Sequence, residues 1–110
     1  MAYGEAIAAL ADPTRRAVFE RLRRGPTPVV EIARHMPVSR PAVSQHLRVL
    51  KDAGLVRERR AGTRNFYSVN GDGLAELREY FEEFWDEALA AFKEAAEAKK
   101  GEQDDPAADE

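Results

Sequence analysis

Pro41, Ser44, Gln45 and Arg48 recur at the three- and four-residue spacing that puts side chains on one face of a helix, with Arg40 beside them on its flank. That face carries hydroxyl and amide groups that donate and accept hydrogen bonds, edged by guanidinium groups, with Lys51 on its flank. Such groups can read base edges in a DNA major groove and hold the phosphates beside it. A second concentration of cations, Arg59, Arg60 and Arg64, follows around Ala61-Gly62-Thr63-Arg64. A basic hairpin tip follows the phosphate backbone or enters an adjacent minor groove. It could instead be a solvated hairpin whose arginines keep an edge strand soluble. The concentration of arginine at the turn favours DNA.

Positioning these side chains falls to the stretch VSRPAVSQHLRVLKDAGLVRERRAGTRNFY, from Val38 to Tyr67. Ser39 is a predicted N-cap, at the end of the helix where contacts to DNA fall, and Pro41 is tolerated because first-turn N–H groups have no partner within the helix. Gly54 is placed to stop the helix in a left-handed cap. Ala42, Val43, His46, Leu47, Leu50 and Ala53 share the opposite face and turn to the core, where His46 is expected to be buried and hydrogen-bonded. A helix of about 15 residues spans roughly 22 Å, enough to lie along a groove. Leu55–Arg60 and Asn65–Val69 read as strands, with Gly62 supplying the permissive backbone of the turn. Their two-residue alternation points Tyr67 and Val69 inward.

Upstream, Tyr3–Ala11 is a short helical segment with Ile7 and Leu10 on one side, either a frayed turn or, the favoured reading, a helix that packs on a partner subunit. Asp12-Pro13 starts a helix running to about Arg24, and Arg15, Arg16, Arg21, Arg23 and Arg24 form a solvated face or reach phosphate. Thr27-Pro28 repeats the cap-then-proline signal before a short helix ending near His35, at an end that favours a cation. A short helix, a tight turn and a second helix with an exposed polar face make a helix-turn-helix, and the hairpin after it makes a wing.

Gly71-Asp72-Gly73 is expected to break the chain before a long helix from Leu74. Leu77, Phe81, Phe84 and Ala88 step by three and four along it, and Trp85 and Phe92 broaden the seam. This exceeds what so small a core needs, and points to a homodimer interface made by Ile7 and Leu10 with Leu77, Phe81, Phe84, Trp85, Ala88 and Phe92. The fold expected is mainly α with a small β-hairpin, in the order helix-helix-helix-recognition helix-strand-strand-helix. Residues 1–98 form the DNA-binding and dimerisation domain, and residues 99–110 an acidic disordered tail.

The net charge of −3 over 110 residues divides unevenly: +2 over residues 1–36, +5 over 37–70 and −10 over 71–110. Local field steers a polyanion, so the acidic total does not argue against nucleic acid. With no cysteine, disulfides and thiolate metal sites are excluded. No apolar run approaches the roughly 18–20 residues that span a bilayer, and the N-terminus lacks the pattern of a secretory signal, so a cytoplasmic protein is expected. No nucleophile–base pair, glycine-rich phosphate loop or metal cluster suggests an enzyme, and Glu82, Glu83 and Asp86 read as a solvated face.

ALADPTRRAVFERL and the later SRPAVSQHLRVLKDAGLVRERRAGTRNFYSV together resemble the ArsR-type winged helix-turn-helix repressors, over roughly Ala6 to Leu89. The pattern SxHLxxLxxAGLVxxxRxGxxxxY is far more constrained than a bare helix-turn-helix. The resemblance implies a dimer joined through its first and last helices, binding a palindromic operator in double-stranded DNA and often repressing its own operon. It places recognition contacts on Arg40, Pro41, Ser44 and Gln45, and backbone or minor-groove contacts chiefly on Arg60 and Arg64. Pro41 departs from the hydrogen-bonding residue common there and offers van der Waals contact alone; a guanidinium–guanine contact from Arg40 would compensate. Many members sense metal through a cysteine pair or through ligands that include histidine on the last helix; here His35 and His46 are the only histidines and neither lies on that helix. The expectation is a repressor of its own or a neighbouring operon with no metal or cofactor, its effector, a small molecule or a protein, left open. The alternative, a winged-helix protein-docking module that no longer binds DNA, would carry a non-basic recognition face and a blunt wing, and this sequence has neither.

Overall fold

A computed structural model describes residues 2–102, with side chains from 3 to 99. In chain order its elements are α1 (Ala2–Ala11), α2 (Pro13–Glu20), β1 (Thr27–Pro28), α3 (Val29–Arg34), α4 (Arg40–Asp52), β2 (Val56–Ala61), β3 (Arg64–Val69) and α5 (Gly71–Glu102). They fall into two units, one ending at Arg78 and the other beginning at Glu79. Among the described residues no helix is long and apolar enough to cross a membrane.

Side-chain chemistry sets the helix ends. Asp12 caps α2 by accepting the Arg15 backbone N–H at 2.9 Å, which holds its carboxyl below the usual carboxylate range. Arg15 Nε and Arg16 Nη1 donate to the carbonyls of Ala9 and Leu10, each at 2.8 Å, satisfying the end of α1 where cations are favoured. Ser39 caps α4, its Oγ accepting the Ala42 N–H at 3.3 Å. At the far end, Gly54 (φ 83°) donates to Lys51 and Leu55 donates to Leu50, both at 3.0 Å, a Schellman motif that needs the left-handed glycine.

One face of α4 supplies the centre of the first unit. Val43, Leu47 and Leu50 are fully buried with Val18, Leu22, Ile32 and Leu55, each burial contributing roughly 1.5–3 kcal/mol. Leu77 joins this core, so it is a packing residue of its own protomer and not a free interface residue. Leu10 packs partly against the same core, whereas Ile7 stays exposed.

The sheet has three antiparallel strands in the order β1-β3-β2, one more than the sequence predicts. Thr27 pairs with Tyr67 and Pro28 with Phe66, so Thr27 is not a helix cap; its hydroxyl donates to the Gly25 carbonyl at 2.9 Å. The cap-then-proline pattern misleads because Pro28 closes a short edge strand, where a missing N–H costs no ladder bond. Helix α2 also stops at Glu20, short of Arg24. Between β2 and β3, Ala61 faces Arg64 across a two-residue turn. Gly62 takes φ 65° and Thr63 does not take positive φ, the pattern of a type II′ hairpin. Tyr67 is buried and Val69 packs against the core.

The expected break at Gly71-Asp72-Gly73 is instead the beginning of α5. The Asn70 backbone donates to the Leu55 carbonyl at 2.8 Å and Asn70 Nδ2 to the Gly54 carbonyl at 3.0 Å. A Cβ at Gly73 would overlap the Gly54 carbonyl oxygen. Glycine is there because two backbones nearly touch, and not because the helix must stop.

In the second unit α5 continues to Glu102, through the first residues of the expected tail; residues 103–110 of that tail lie outside the described residues. Phe84, Trp85 and Phe92 are 60%, 63% and 69% exposed, Phe81 is half-exposed and Ala88 is open. The rings of Tyr80 and Phe81 meet edge to face at 5.3 Å.

Candidate DNA-binding surface

Capped by Ser39 and anchored through Val43, Leu47 and Leu50, α4 turns Arg40, Pro41, Ser44, Gln45 and Arg48 outward, and all are exposed. The hairpin presents Arg59, Arg60 and Arg64, also exposed, with the Arg64 guanidinium 5.4 Å from the centre of the Phe66 ring. Stacking on that ring fixes the guanidinium without neutralising it.

The use of cations separates this surface from the rest of the first unit. Arg15 and Arg16 cap α1, and Arg21 Nη2 donates to the His35 carbonyl at 2.9 Å, bracing the turn before α4. Arg34 pairs with Glu31 at 3.0 Å, Lys51 with Glu58 at 2.9 Å and Arg57 with Asp72 at 3.2 Å. By contrast, Arg40, Arg48, Arg59, Arg60 and Arg64 make no hydrogen bond or ion pair among the described residues, and neither do the side chains of Ser44 and Gln45. Of the five arginines on and just after α2 that were expected to be solvated or to reach phosphate, Arg15, Arg16 and Arg21 hold the fold together and Arg23 and Arg24 stay uncommitted. Sequence spacing does not reveal that division, because it depends on which carbonyls lie within reach.

The Lys51 ammonium, with a further hydrogen bond from Tyr67, holds the Glu58 carboxyl below its usual range. Burial, reinforced by Glu58, raises the Tyr67 phenol above its ordinary value. This trio ties the flank of α4 to the sheet. Where α4, α3 and the hairpin meet there is a cleft of about 180 Å³, lined in part by Arg40, Ser44, Thr63, Arg64 and Asn65. Thr63 and Asn65 were not among the expected site residues; they emerge only once the two-residue turn and the strand register are known.

His46 differs from expectation. It is only partly buried, and its Nδ1 is shielded from solvent without a hydrogen-bond partner. His35 sits at the end of α3 with Nε2 3.5 Å from Glu31. Among the described residues no three His, Cys, Asp or Glu side chains converge to hold a metal ion.

Residues 10–59 match a model described as a helix-turn-helix domain. HTH-type transcriptional regulator Rv2034 of Mycobacterium tuberculosis is 54% identical over 91 residues, covering 83% of this chain and 85% of that protein. A solved ArsR-like transcriptional regulator from Rhodococcus sp. RHA1 superposes with a TM-score of 0.72 at 33% identity, over 86% of this chain and 92% of that one. The chain belongs to the ArsR-type winged helix-turn-helix regulators. A solved homodimeric winged helix-turn-helix DNA-binding domain from Mycobacterium bovis, described as a possible ArsR-family regulator, is 32% identical with a TM-score of 0.63, covering 80% of this chain and 82% of that one. As an ArsR-type regulator the protein is a DNA-binding transcription factor, and the family consists of regulators and not enzymes. In these terms α4 is its recognition helix and β2–β3 its wing.

Proposed function

We propose that this ArsR-type regulator acts as a homodimer that binds an inverted-repeat operator and represses its own or a neighbouring operon without sensing metal. The observation that carries the reading is the set of uncommitted arginines and hydrogen-bonding side chains gathered on α4 and the wing, whereas Arg15, Arg16, Arg21, Lys51 and Arg57 are spent on the fold. The recognition helix offers its exposed face to the major groove and the wing lies along the flanking backbone. A symmetric pair sets two recognition helices about 34–36 Å apart, one turn of DNA.

Exposed Phe84, Trp85 and Phe92 on α5, and separately Ile7 on α1, support a subunit interface, because exposed large apolar side chains gathered on one helix mark an association site. Metal independence rests on donor chemistry: the chain has no cysteine, its two histidines lie on α3's end and on α4, and carboxylates alone make a poor transition-metal site. Occupancy of a promoter excludes polymerase and represses.

Fluorescence anisotropy with the protein's own upstream DNA, against scrambled DNA of equal length, with and without EDTA, tests the proposal. Tight, salt-sensitive and EDTA-indifferent preference for the native fragment is expected. Equal weak binding to both fragments places the operator elsewhere or favours a protein-docking role, and loss of binding in EDTA defeats the metal-free reading.

A further inference from the structure

The small cleft between the recognition helix and the wing has a chemistry of its own. Arg40 and Ser44 line it from α4 and Thr63, Arg64 and Asn65 from the hairpin, against a mainly apolar wall supplied by β1, the start of α3 and Tyr67. None of its lining residues is acidic, and two are arginines. None of Arg40, Ser44, Thr63 and Asn65 spends its side chain on a hydrogen bond or ion pair among the described residues, while the stack on Phe66 holds Arg64 in place. Two separate stretches of chain, α4 and the hairpin, thus line one cleft with two cations and three neutral hydrogen-bonding groups.

The occupant that fits is a single anionic group with several acceptor oxygens. At about 180 Å³ the cleft is smaller than the roughly 300–1,000 Å³ sites that enclose organic ligands. Gln45 and Arg48, on the same exposed face of α4, stand outside its lining. A DNA strand bordering the groove into which α4 inserts must pass between that helix and the wing, and its phosphodiester has the required charge and acceptors.

We infer that this cleft seats one backbone phosphodiester per half-site, with Thr63 and Asn65 as DNA contacts alongside Arg40, Ser44 and Arg64. The inference rests on the DNA-binding reading above. It assigns Arg40 and Ser44 to the strand and leaves base reading to Gln45 and Arg48. Phosphate contacts of this type fix register and orientation more than sequence.

A double-substitution cycle tests it. Each phosphate of the operator is replaced in turn by an uncharged methylphosphonate, and binding is measured for the wild-type protein and for a Thr63→Val/Asn65→Ala variant whose melting curve matches wild type. Loss of the hydrogen bonds is expected to weaken binding of the unmodified operator by about three- to tenfold. At one phosphate per half-site the methylphosphonate should cost the wild type about tenfold but the variant less than about threefold, with equal costs elsewhere. Wild-type binding with equal methylphosphonate costs in both proteins at every position overturns the cleft assignment alone, as does an unweakened variant. Wild-type protein that binds no duplex overturns the DNA reading with it. A folding defect in the double variant is met by running Thr63→Val and Asn65→Ala singly, with the same criteria.

Discussion

Removing the Arg60 side chain should change how steeply DNA binding depends on salt, whereas removing that of Arg57, three residues earlier on the same strand, should not. Arg60 is exposed on β2 and makes no hydrogen bond or close ion pair, feeling Glu58 only at longer range, so on DNA its charge can replace a condensed counterion. Arg57 already faces Asp72 at 3.2 Å, and its charge is largely matched before DNA arrives. Each phosphate neutralised contributes about 0.9 to the slope of log K against log salt. A dimer loses two such contacts in Arg60→Ala, so the slope should become shallower by about 1.8. Between 50 and 200 mM salt, wild-type affinity should then fall by roughly 12-fold more than that of the variant. Arg57→Ala should alter the slope by less than about 0.5. Anisotropy titrations at four or five salt concentrations, on operator and scrambled duplexes, measure both. Equal slope changes for the two variants, or none for Arg60→Ala, would refute the argument that intramolecular pairing decides which arginines serve DNA.

Gly73→Ala should destabilise the first unit by about 1–3 kcal/mol, because the new methyl meets the Gly54 backbone, while Gly71→Ala, with open space around it, should be close to neutral; thermal melts of both distinguish a close approach from a generic glycine effect. Asp12 has a depressed pKa in the fold, so its contribution to stability is full above its ordinary value of 3.8 and is lost as pH falls through the lower folded value. Asp12→Ala should therefore remove part of the acid dependence of stability in that window, and denaturant melts from pH 5 to pH 2 that match wild type throughout would count against the cap. The single tryptophan, Trp85, is open on the protomer, so its emission should lie to the blue at high protein concentration and shift to the red on dilution as an interface separates. An emission maximum independent of concentration, together with a monomeric mass by light scattering, would reject α5 as the subunit contact.

Much of this architecture was legible because several local rules agreed at the same residues. Ser39, Pro41 and Gly54 bracket α4, and the spacing of Val43, Leu47 and Leu50 turns its polar face outward; the structure follows these at both ends. Gly62 likewise announced the hairpin, although the turn is two residues long, β2 is shifted by one position and β3 begins one residue earlier than expected. What could not be read depended on distance across the fold. Thr27-Pro28 satisfies the local grammar of a helix start, yet pairing with Phe66 and Tyr67 decides its conformation. Gly73 carries the local signature of a breaker, yet the Gly54 carbonyl beside it explains the residue better. Leu77 fits a partner-facing stripe by spacing alone, but the core of its own protomer claims it. Arg15, Arg16 and Arg21 look like a basic face until the carbonyls they reach are known.

The short strand β1 has a consequence for how this protein meets its operator. Because β1 and β2 flank β3, the inner strand of the wing is hydrogen-bonded on both sides where Phe66 and Tyr67 lie. The hairpin is thus a fixed lever and not a hinged flap, aimed before any encounter. A probe whose shape is already set gives up little conformational freedom on docking, so more of its contact energy is retained as affinity. Cutting β1 loose from β3 would remove no exposed arginine from the wing, yet would return to it the freedom that the third strand removes.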